Sequence, residues 1–418
     1  LCSIECNFGE PLEAPVNKAF GDDLRAWSQK SQRLYIWDYT TNFAHYCLPH
    51  PNWFALGANV RFFHNHGVKG LFEQGAYQSQ SSEFSELRAW VLARLLWDPK
   101  LDDRKLITEF LNGYYGKRSA PFIARYMELL HNRSRGWNLT CYSAPNASFL
   151  SFDTLAEADA LWKRAEDAAP NATLRWRVAQ GRNCVRYAVL AAWSRLKKEG
   201  KAANKPWPFG TANTLAKTWL ETATSKTGAP AAWEPMKLIN EGGTTPQAFA
   251  ARFTESAEDI SPLPADLTGV DPKSAVRIAE SAASLYQEGT LSAFKPDPLA
   301  SDKRAAWMPG THSEWAIQFP FSRLPEKVNE GRWKVWAVVR VEKGSASSGN
   351  AFTAGVYDSA TKTSRSELQI PVAGLPDGYK TYPLGTVDGH SELYVWLAPV
   401  PGSGVSAIWV DRLILTPA

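Results

Sequence analysis

The sequence predicts a multi-domain chain with α/β, all-α and all-β parts. These are the C-terminal strands of a TIM-like (β/α) barrel over residues 1–85, a helical domain and connection over 86–264, and a jelly-roll-like β-sandwich over 265–418. Three observations predict it. Nearly continuous apolar runs at the start suit parallel strands covered on both faces. A period near four follows, as amphipathic helices require. Short alternating runs separated by Gly, Pro, Asp and Ser close the chain, as in an antiparallel sandwich.

In the first part the runs are Leu1-Cys-Ser-Ile-Glu-Cys, Arg33-Leu-Tyr-Ile-Trp-Asp-Tyr and Gly67-Val-Lys-Gly-Leu-Phe-Glu-Gln. Each is followed by material that can be helical, so they read as the last strands of a barrel. The opening run reads as a strand entered in mid-domain. The expectation is that an N-terminal part of the same protein, in the same or a separately processed chain, completes the barrel, with any signal peptide on that part.

In the second part Leu87, Val91 and Leu95 share one helix face, and Asp98-Pro99 stops the helix. Asp102 starts another that carries Leu106, Ile107, Phe110 and Leu111 and ends at Gly113. Pro121 suits a first helical turn, Thr154-x-x-Glu157 reads as a capping box, and Asn171 caps a long helix running to about Lys198. From Lys201 to Pro264 the periodicity weakens into mixed helix and loop. In the last part Trp333-Lys-Val-Trp-Ala-Val-Val-Arg-Val, Phe352-Thr-Ala-Gly-Val-Tyr, Leu393-Tyr-Val-Trp-Leu and Ser406-Ala-Ile-Trp-Val-Asp alternate as strands.

Composition narrows the function classes. With 418 residues, 44% hydrophobic and 21% charged, there is apolar material for two or three cores. The net charge of +4 comes from 46 basic and 42 acidic side chains scattered along the chain, with no basic run to track a phosphate backbone, so nucleic acid is excluded as the expected partner. No stretch approaches the ~18 uninterrupted apolar residues of a membrane span. Cys2, Cys6, Cys47, Cys141 and Cys184 lack metal-ligand spacing, although Cys6 and Cys47 can meet if their strands are neighbours. Sequons at Asn132, Asn138, Asn146 and Asn171 matter only in a glycosylating host.

The segments Leu34-Tyr-Ile-Trp-Asp-Tyr-Thr-Thr-Asn-Phe, His50-Pro-Asn-Trp, Gly67-Val-Lys-Gly-Leu-Phe-Glu-Gln-Gly, Leu87-Arg-Ala-Trp-Val-Leu-Ala-Arg-Leu-Leu-Trp-Asp-Pro and Gly113-Tyr-Tyr-Gly resemble the family catalogued as domain of unknown function 4838. Members of the related glycoside hydrolase family 163 act as endo-β-N-acetylglucosaminidases on N-glycans. The resemblance therefore implies a secreted, periplasmic or cell-surface hydrolase of N-acetylglucosamine-containing glycans. It also implies a catalytic barrel, with part of the acid/base machinery on strands outside this sequence, and a sandwich like the one that often follows this domain.

In such barrels reacting groups stand at the C-terminal ends of strands, which here carry Glu5, Asp38 and Glu73. Glu73, followed by Gln74 and Gly75, is the best-placed proton donor, and Asp38, between Trp37 and Tyr39, is its candidate catalytic partner. Two carboxyl groups about 5 Å apart allow a retaining mechanism and a wider gap allows inversion; an N-acetylated substrate adds a route in which its own amide attacks. For each carboxylate the bland alternative is an ion pair or a loop-fixing hydrogen bond. Glu5, with Glu10 as its rival, is the weaker candidate and is assigned to substrate binding with Trp37, Tyr39, Trp53, Gln74 and Tyr77. Phe43 and Tyr46 flank the same ends, since an aromatic face can stack on a pyranose, although most Trp residues in such a chain belong to cores.

No cofactor is expected. His45, His50, His64 and His66 lie close in sequence without a third ligand at a convincing offset, so no metal is expected either. Glu83 and Glu86 read as negative charge at a helix N-terminus. Trp307, Trp315, Trp336, Tyr394, Trp396 and Trp409 are either sandwich core or a glycan platform. Two function classes stay open, a glycoside hydrolase and a non-catalytic glycan-binding or surface-assembly protein that keeps the barrel as scaffold. Glu73 and Asp38 converging on an open aromatic cleft favour the first, and sealing of either by an Arg favours the second.

Overall fold

Strands β1 (Tyr35–Tyr39) and β2 (Gly70–Gln74) pair in parallel, which demands a crossover, and α2 (Leu56–Asn65) supplies it after α1 (Lys18–Lys30). Gly67, at φ 70°, turns the chain out of α2 in the left-handed conformation that glycine adopts without strain. The computed structural model describes residues 1–253, 261–346 and 348–418, which fall into two units, Leu1–Ala251 and Arg252–Ala418. The described parallel sheet is β1, β2 and a single bridge from Cys2 to Trp37, rather than a closed barrel.

The first expected strand is therefore much shorter than the run Leu1–Cys6. The Trp37 N–H donates to the Leu1 carbonyl at 2.8 Å and the Ser3 N–H to the Trp37 carbonyl at 3.1 Å. A turn closed by the Cys6 N–H on the Ser3 carbonyl at 2.9 Å then ends the pairing. Glu5 sits in that turn, exposed, and not on a strand.

The helices follow local rules with three departures. α3 (Ser85–Trp97) ends where Asp98 turns extended, and α4 (Asp103–Phe110) begins with Asp102 accepting from the Lys105 N–H at 3.1 Å. Gly113 does not end α4: the helix widens into a π turn over Leu111–Tyr115 and stops at Gly116, at φ 88°. α5 (Ala120–Ser134) has Pro121 in its first turn. α6 (Phe152–Ala168) is capped three residues before Thr154 of the expected box, because the Ser151 hydroxyl accepts from the Thr154 N–H. α7 (Ala172–Ala191) is capped by Asn171 as expected but breaks at Ala192 before α8 (Trp193–Ala202), so the helix to Lys198 is two. α9 (Ala212–Thr224) and α10 (Pro246–Ala250) complete the first unit.

The second unit is a β-sandwich. Its strands are β3 (Val276–Ala279), β4 (Ser284–Leu285), β5 (Ala293–Pro296), β6 (Arg304–Pro309), β7 (Ile317–Pro320), β8 (Arg332–Glu342), β9 (Asn350–Asp358), β10 (Thr363–Pro371), β11 (Lys380–Asp388), β12 (Leu393–Pro399) and β13 (Ala407–Pro417). One sheet runs β10-β9-β12-β7-β4; the other runs β11-β8-β13-β6-β5, with β3 also on β13. Every pairing is antiparallel. Alternate residues such as Phe352, Ala354 and Val356 of β9 meet Val335, Ala337 and Val339 of β8 in one core. At about 1.5–3 kcal/mol for each large apolar side chain removed from water, this core drives the folding of the unit.

Candidate functional site

Period-two alternation gives the parallel pair two unlike faces. On one, Ile36 and Leu71 join Phe20 and Leu24 of α1 and Phe62 and Phe63 of α2 in an apolar cluster. On the other, Tyr35, Trp37 and Phe72 lie largely open, Trp37 at 47% and Phe72 at 56% exposure. The Trp37 and Phe72 rings meet edge to face at 5.1 Å, and the Trp37 indole N–H donates to Gln74 Oε1 at 2.7 Å. Tyr35 crosses Gly70, where a Cβ would come within 2.4 Å of its ring. Tyr39 caps this row from within, stacked on Trp37 at 6.3 Å and buried against Phe8 and Phe43.

Asp38 and Glu73 are register partners, on the face shared with Ile36 and Leu71. The sequence places both at strand ends; the pairing makes them neighbours at the ~4.8 Å spacing of adjacent strands. Asp38 is inside, at 3% exposure, its Oδ1 accepting from the Ser3 hydroxyl and from the Tyr39 N–H at 2.9 Å. Burial pushes its carboxyl up to about 6, against the opposing pull of those hydrogen bonds. Glu73 is half-buried, and its Oε2 is buried without a hydrogen-bond partner. Burial first, and then the neighbouring Asp38 charge, raise it well above the usual carboxylate range. Among the described residues no cation pairs with either.

A buried arginine of the same unit, Arg88, is committed elsewhere. Arg88 holds Glu83 at 2.6 Å and donates to the His50 carbonyl at 2.7 Å and to Asn52 Oδ1 at 2.8 Å, all within buried surroundings. Helix-end charge is thus not the role of Glu83, which is half of a buried ion pair; Glu86 does lie in the first turn of α3.

The remaining expected contacts divide. Trp53 is 0% exposed, walled in by Phe54, Phe84 and Tyr126, and is a core residue and not a sugar platform. Tyr77 stands exposed just past β2, and its hydroxyl donates to Glu241 Oε1 at 3.1 Å. The other oxygen of Glu241 accepts from Tyr142 at 3.1 Å, and the Glu241 N–H reaches back to the Phe43 carbonyl at 2.8 Å. The hydrogen bond to Glu241 raises the Tyr77 phenol, and burial followed by the same carboxylate raises Tyr142. Sequence reasoning missed Glu241 and Tyr142; the turn signal Gly242-Gly243 is the only local sign of either.

His66 Nδ1 lies 2.8 Å from the Phe62 carbonyl, and no group of three or more His, Cys, Asp or Glu among the described residues is arranged to hold a metal ion. The five cysteines are free, Cys47 facing the Met236 sulfur at 3.7 Å, so Cys6 and Cys47 are not bridged. No helix among the described residues is long and apolar enough to cross a membrane. The sandwich tryptophans do not form one platform. Trp307 and Trp409 lie under Lys295 and Arg340, Trp336 joins a separate small core, and Trp315 packs on Tyr286.

Fold and site together define a protein with a helix-backed parallel strand pair, an uncompensated carboxyl pair at its end, and a β-sandwich. Residues 1–128 match the family described as "Domain of unknown function (DUF4838)", the family that the sequence resembles. A search of curated proteins finds no match. Solved structures with some likeness include the CBM22-1 xylan-binding domain from Paenibacillus barcinonensis Xyn10C, at 13% identity over 34% of this chain and 89% of that one, TM-score 0.25. The family 35 carbohydrate binding module from Clostridium thermocellum is 14% identical over 33% and 93%, TM-score 0.24. CsCBM6-3 from Clostridium stercorarium, in complex with cellobiose, is 16% identical over 40% and 98%, TM-score 0.23. Likeness this slight carries nothing about what the chain binds.

Proposed function

We propose that the first unit is part of a secreted, periplasmic or cell-surface glycoside hydrolase of the (β/α)-barrel type, acting on N-acetylglucosamine-containing glycans as an endo-β-N-acetylglucosaminidase does. The observation that carries the reading is Glu73: a half-buried carboxyl at the end of a parallel strand, raised by burial and by a like charge, with no cation paired to it among the described residues. A group so held keeps its proton to higher pH than an ordinary carboxylate and can give it to a leaving glycosidic oxygen. Asp38 is too enclosed to touch a sugar and acts through Glu73, as the positioning charge that keeps it protonated. The open ring of Tyr77, just past the end of β2, offers stacking surface to a pyranose near Glu73, whereas Trp37, Phe72 and Gln74 lie on the opposite face of the strand pair.

The test is hydrolysis of a panel of released N-glycans by the complete protein, wild type beside Glu73→Gln and Asp38→Asn, with products read by mass spectrometry. Cleavage between the two core N-acetylglucosamines, lowered about 10²–10⁴-fold in Glu73→Gln, is the expected result. In Asp38→Asn the alkaline limb of the pH profile should move to lower pH. Intact glycans with wild type, but retained binding, would establish the non-catalytic glycan-binding alternative, which the openly exposed Trp37 and Phe72 also suit.

A further inference from the structure

The outer face of the five-stranded sheet carries a second arrangement suited to sugar, independent of the carboxyl pair. Register sets Tyr394 of β12 beside Tyr357 of β9, and Trp396 beside Gly355. β7 adds Gln318 next to Trp396, β4 adds Ser284 next to Gln318, and β10 adds Glu367 next to Gly355. The residues between them, Val356, Val395, Leu397 and Phe319, are in the core, so alternation turns this whole row outward. The Tyr357 and Tyr394 rings lie 5.4 Å apart with planes 39° from each other.

Gly355 explains how the row presents its largest ring. A Cβ there would stand 2.3 Å from the Ser366 carbonyl of β10, which excludes any side chain, and 3.0 Å from Trp396 Nε1, so the bare backbone at Gly355 leaves room for the indole across the neighbouring strand. Trp396, Tyr357 and Tyr394 are each partly exposed. Among the described residues, the two tyrosine hydroxyls, the indole N–H, the Gln318 amide and the Glu367 carboxylate make no hydrogen bond within the unit.

We propose that this face binds a neutral polysaccharide chain. Flat rings interleaved with unpartnered amide, hydroxyl and carboxylate groups match the alternating C–H faces and hydroxyl edges of linked pyranoses. A protein partner would ask for a continuous apolar centre, and here polar side chains divide the rings. Nucleic acid would ask for cations, whereas Arg365, the nearest arginine along β10, is held by Asp358 at 2.6 Å and Glu367 repels phosphate.

The test is titration calorimetry of the full chain with cellohexaose, xylohexaose and chitohexaose. Binding of at least one is expected, weakened about tenfold or more in Trp396→Ala and Tyr394→Ala and clearly in Gln318→Ala, with thermal unfolding confirming that each variant is folded. Gln318→Ala removes only an amide on the surface, so the idea stays testable if loss of an aromatic ring disturbs the sheet. No binding of any of the three by wild type overturns the proposal. So does unchanged affinity in the folded variants, or a loss found instead in Trp315→Ala, which would move the site to the Tyr286–Trp315 pair. Binding is read as heat and hydrolysis as product, so failure here and failure of the Glu73 reading are separate results.

Discussion

The two units both lay an aromatic ring across a glycine on a neighbouring strand, Tyr35 over Gly70 and Trp396 over Gly355, yet the acids nearest their candidate sites are treated differently. In the sandwich Asp297 meets Arg340 at 2.7 Å and Asp358 meets Arg365 at 2.6 Å, whereas Glu280, with Arg304 at 3.8 Å, is raised by burial to about 7. Asp358 is accordingly held down at about 2, its partners' hydrogen bonds outweighing burial. At the end of the parallel pair Asp38 has only the Ser3 hydroxyl and the Tyr39 N–H, and among the described residues neither it nor Glu73 meets a cation, although Arg88 pairs with Glu83 in the same unit. A surface that only grips can be fully neutralised, whereas proton transfer needs a group left off balance. That difference is what separates a candidate binding face from a candidate catalytic one.

The largest effect expected on this contrast comes from its satisfied side. Arg88→Ala leaves Glu83 buried without its cation and strips the His50 carbonyl and Asn52 of their donor. Such a break costs about 3–5 kcal/mol. Urea unfolding should show that loss, and pairing the change with Glu83→Gln should restore most of it. A small loss in the single variant would mean that water or a local shift neutralises Glu83, and the contrast with Asp38 and Glu73 would weaken.

What was legible in the sequence follows the range of the interactions. Caps at Asp102 and Asn171, and the strands of the sandwich, are decided within a few residues and read correctly. Thr154 reads as a cap in sequence, but Ser151, three residues earlier, accepts from Thr154's own N–H and so starts the helix first. Asp38 and Glu73 could be nominated from strand ends, but the alternation that turns them from the open aromatic face depends on which side the helices cover. Trp53 looks like Trp37 in sequence, and only packing by Phe84 and Tyr126 makes one core and the other open. Glu241 was invisible because its partners, Tyr77 and Tyr142, are distant along the chain.

An intermediate effect tests the unsatisfied side through pH. Asp38 ionises near 3.8 when unfolded and about 6 when folded, so the folded state holds more protons in between. Its contribution to stability is full below pH 4 and is lost as pH rises through about 6, and Glu73 is shifted in the same direction. The rise corresponds to about 2–3 kcal/mol. Asp38→Asn keeps an acceptor for Ser3 but cannot ionise, so it should be more stable than wild type at pH 8 by about that amount and nearly equal to it at pH 4. Denaturation curves at the two pH values check this. Equal stability at pH 8 would mean that the pair is neutralised after all.

The smallest effect expected separates gripping from chemistry within the strand-end site. Tyr142→Phe keeps the ring contact with Phe43 and removes only the hydroxyl that donates to Glu241. Tyr77 still holds the other carboxylate oxygen, so the carboxylate stays near its place with one acceptor released. If Glu241 receives substrate hydroxyls, that change loosens ground state and transition state alike. KM should then rise about two- to tenfold with kcat unchanged, the weight of a single hydrogen bond. A matching fall in kcat would instead tie Glu241 to the reacting centre, and the division between a neutral gripping surface and an off-balance proton donor would no longer run where Asp38 and Glu73 place it.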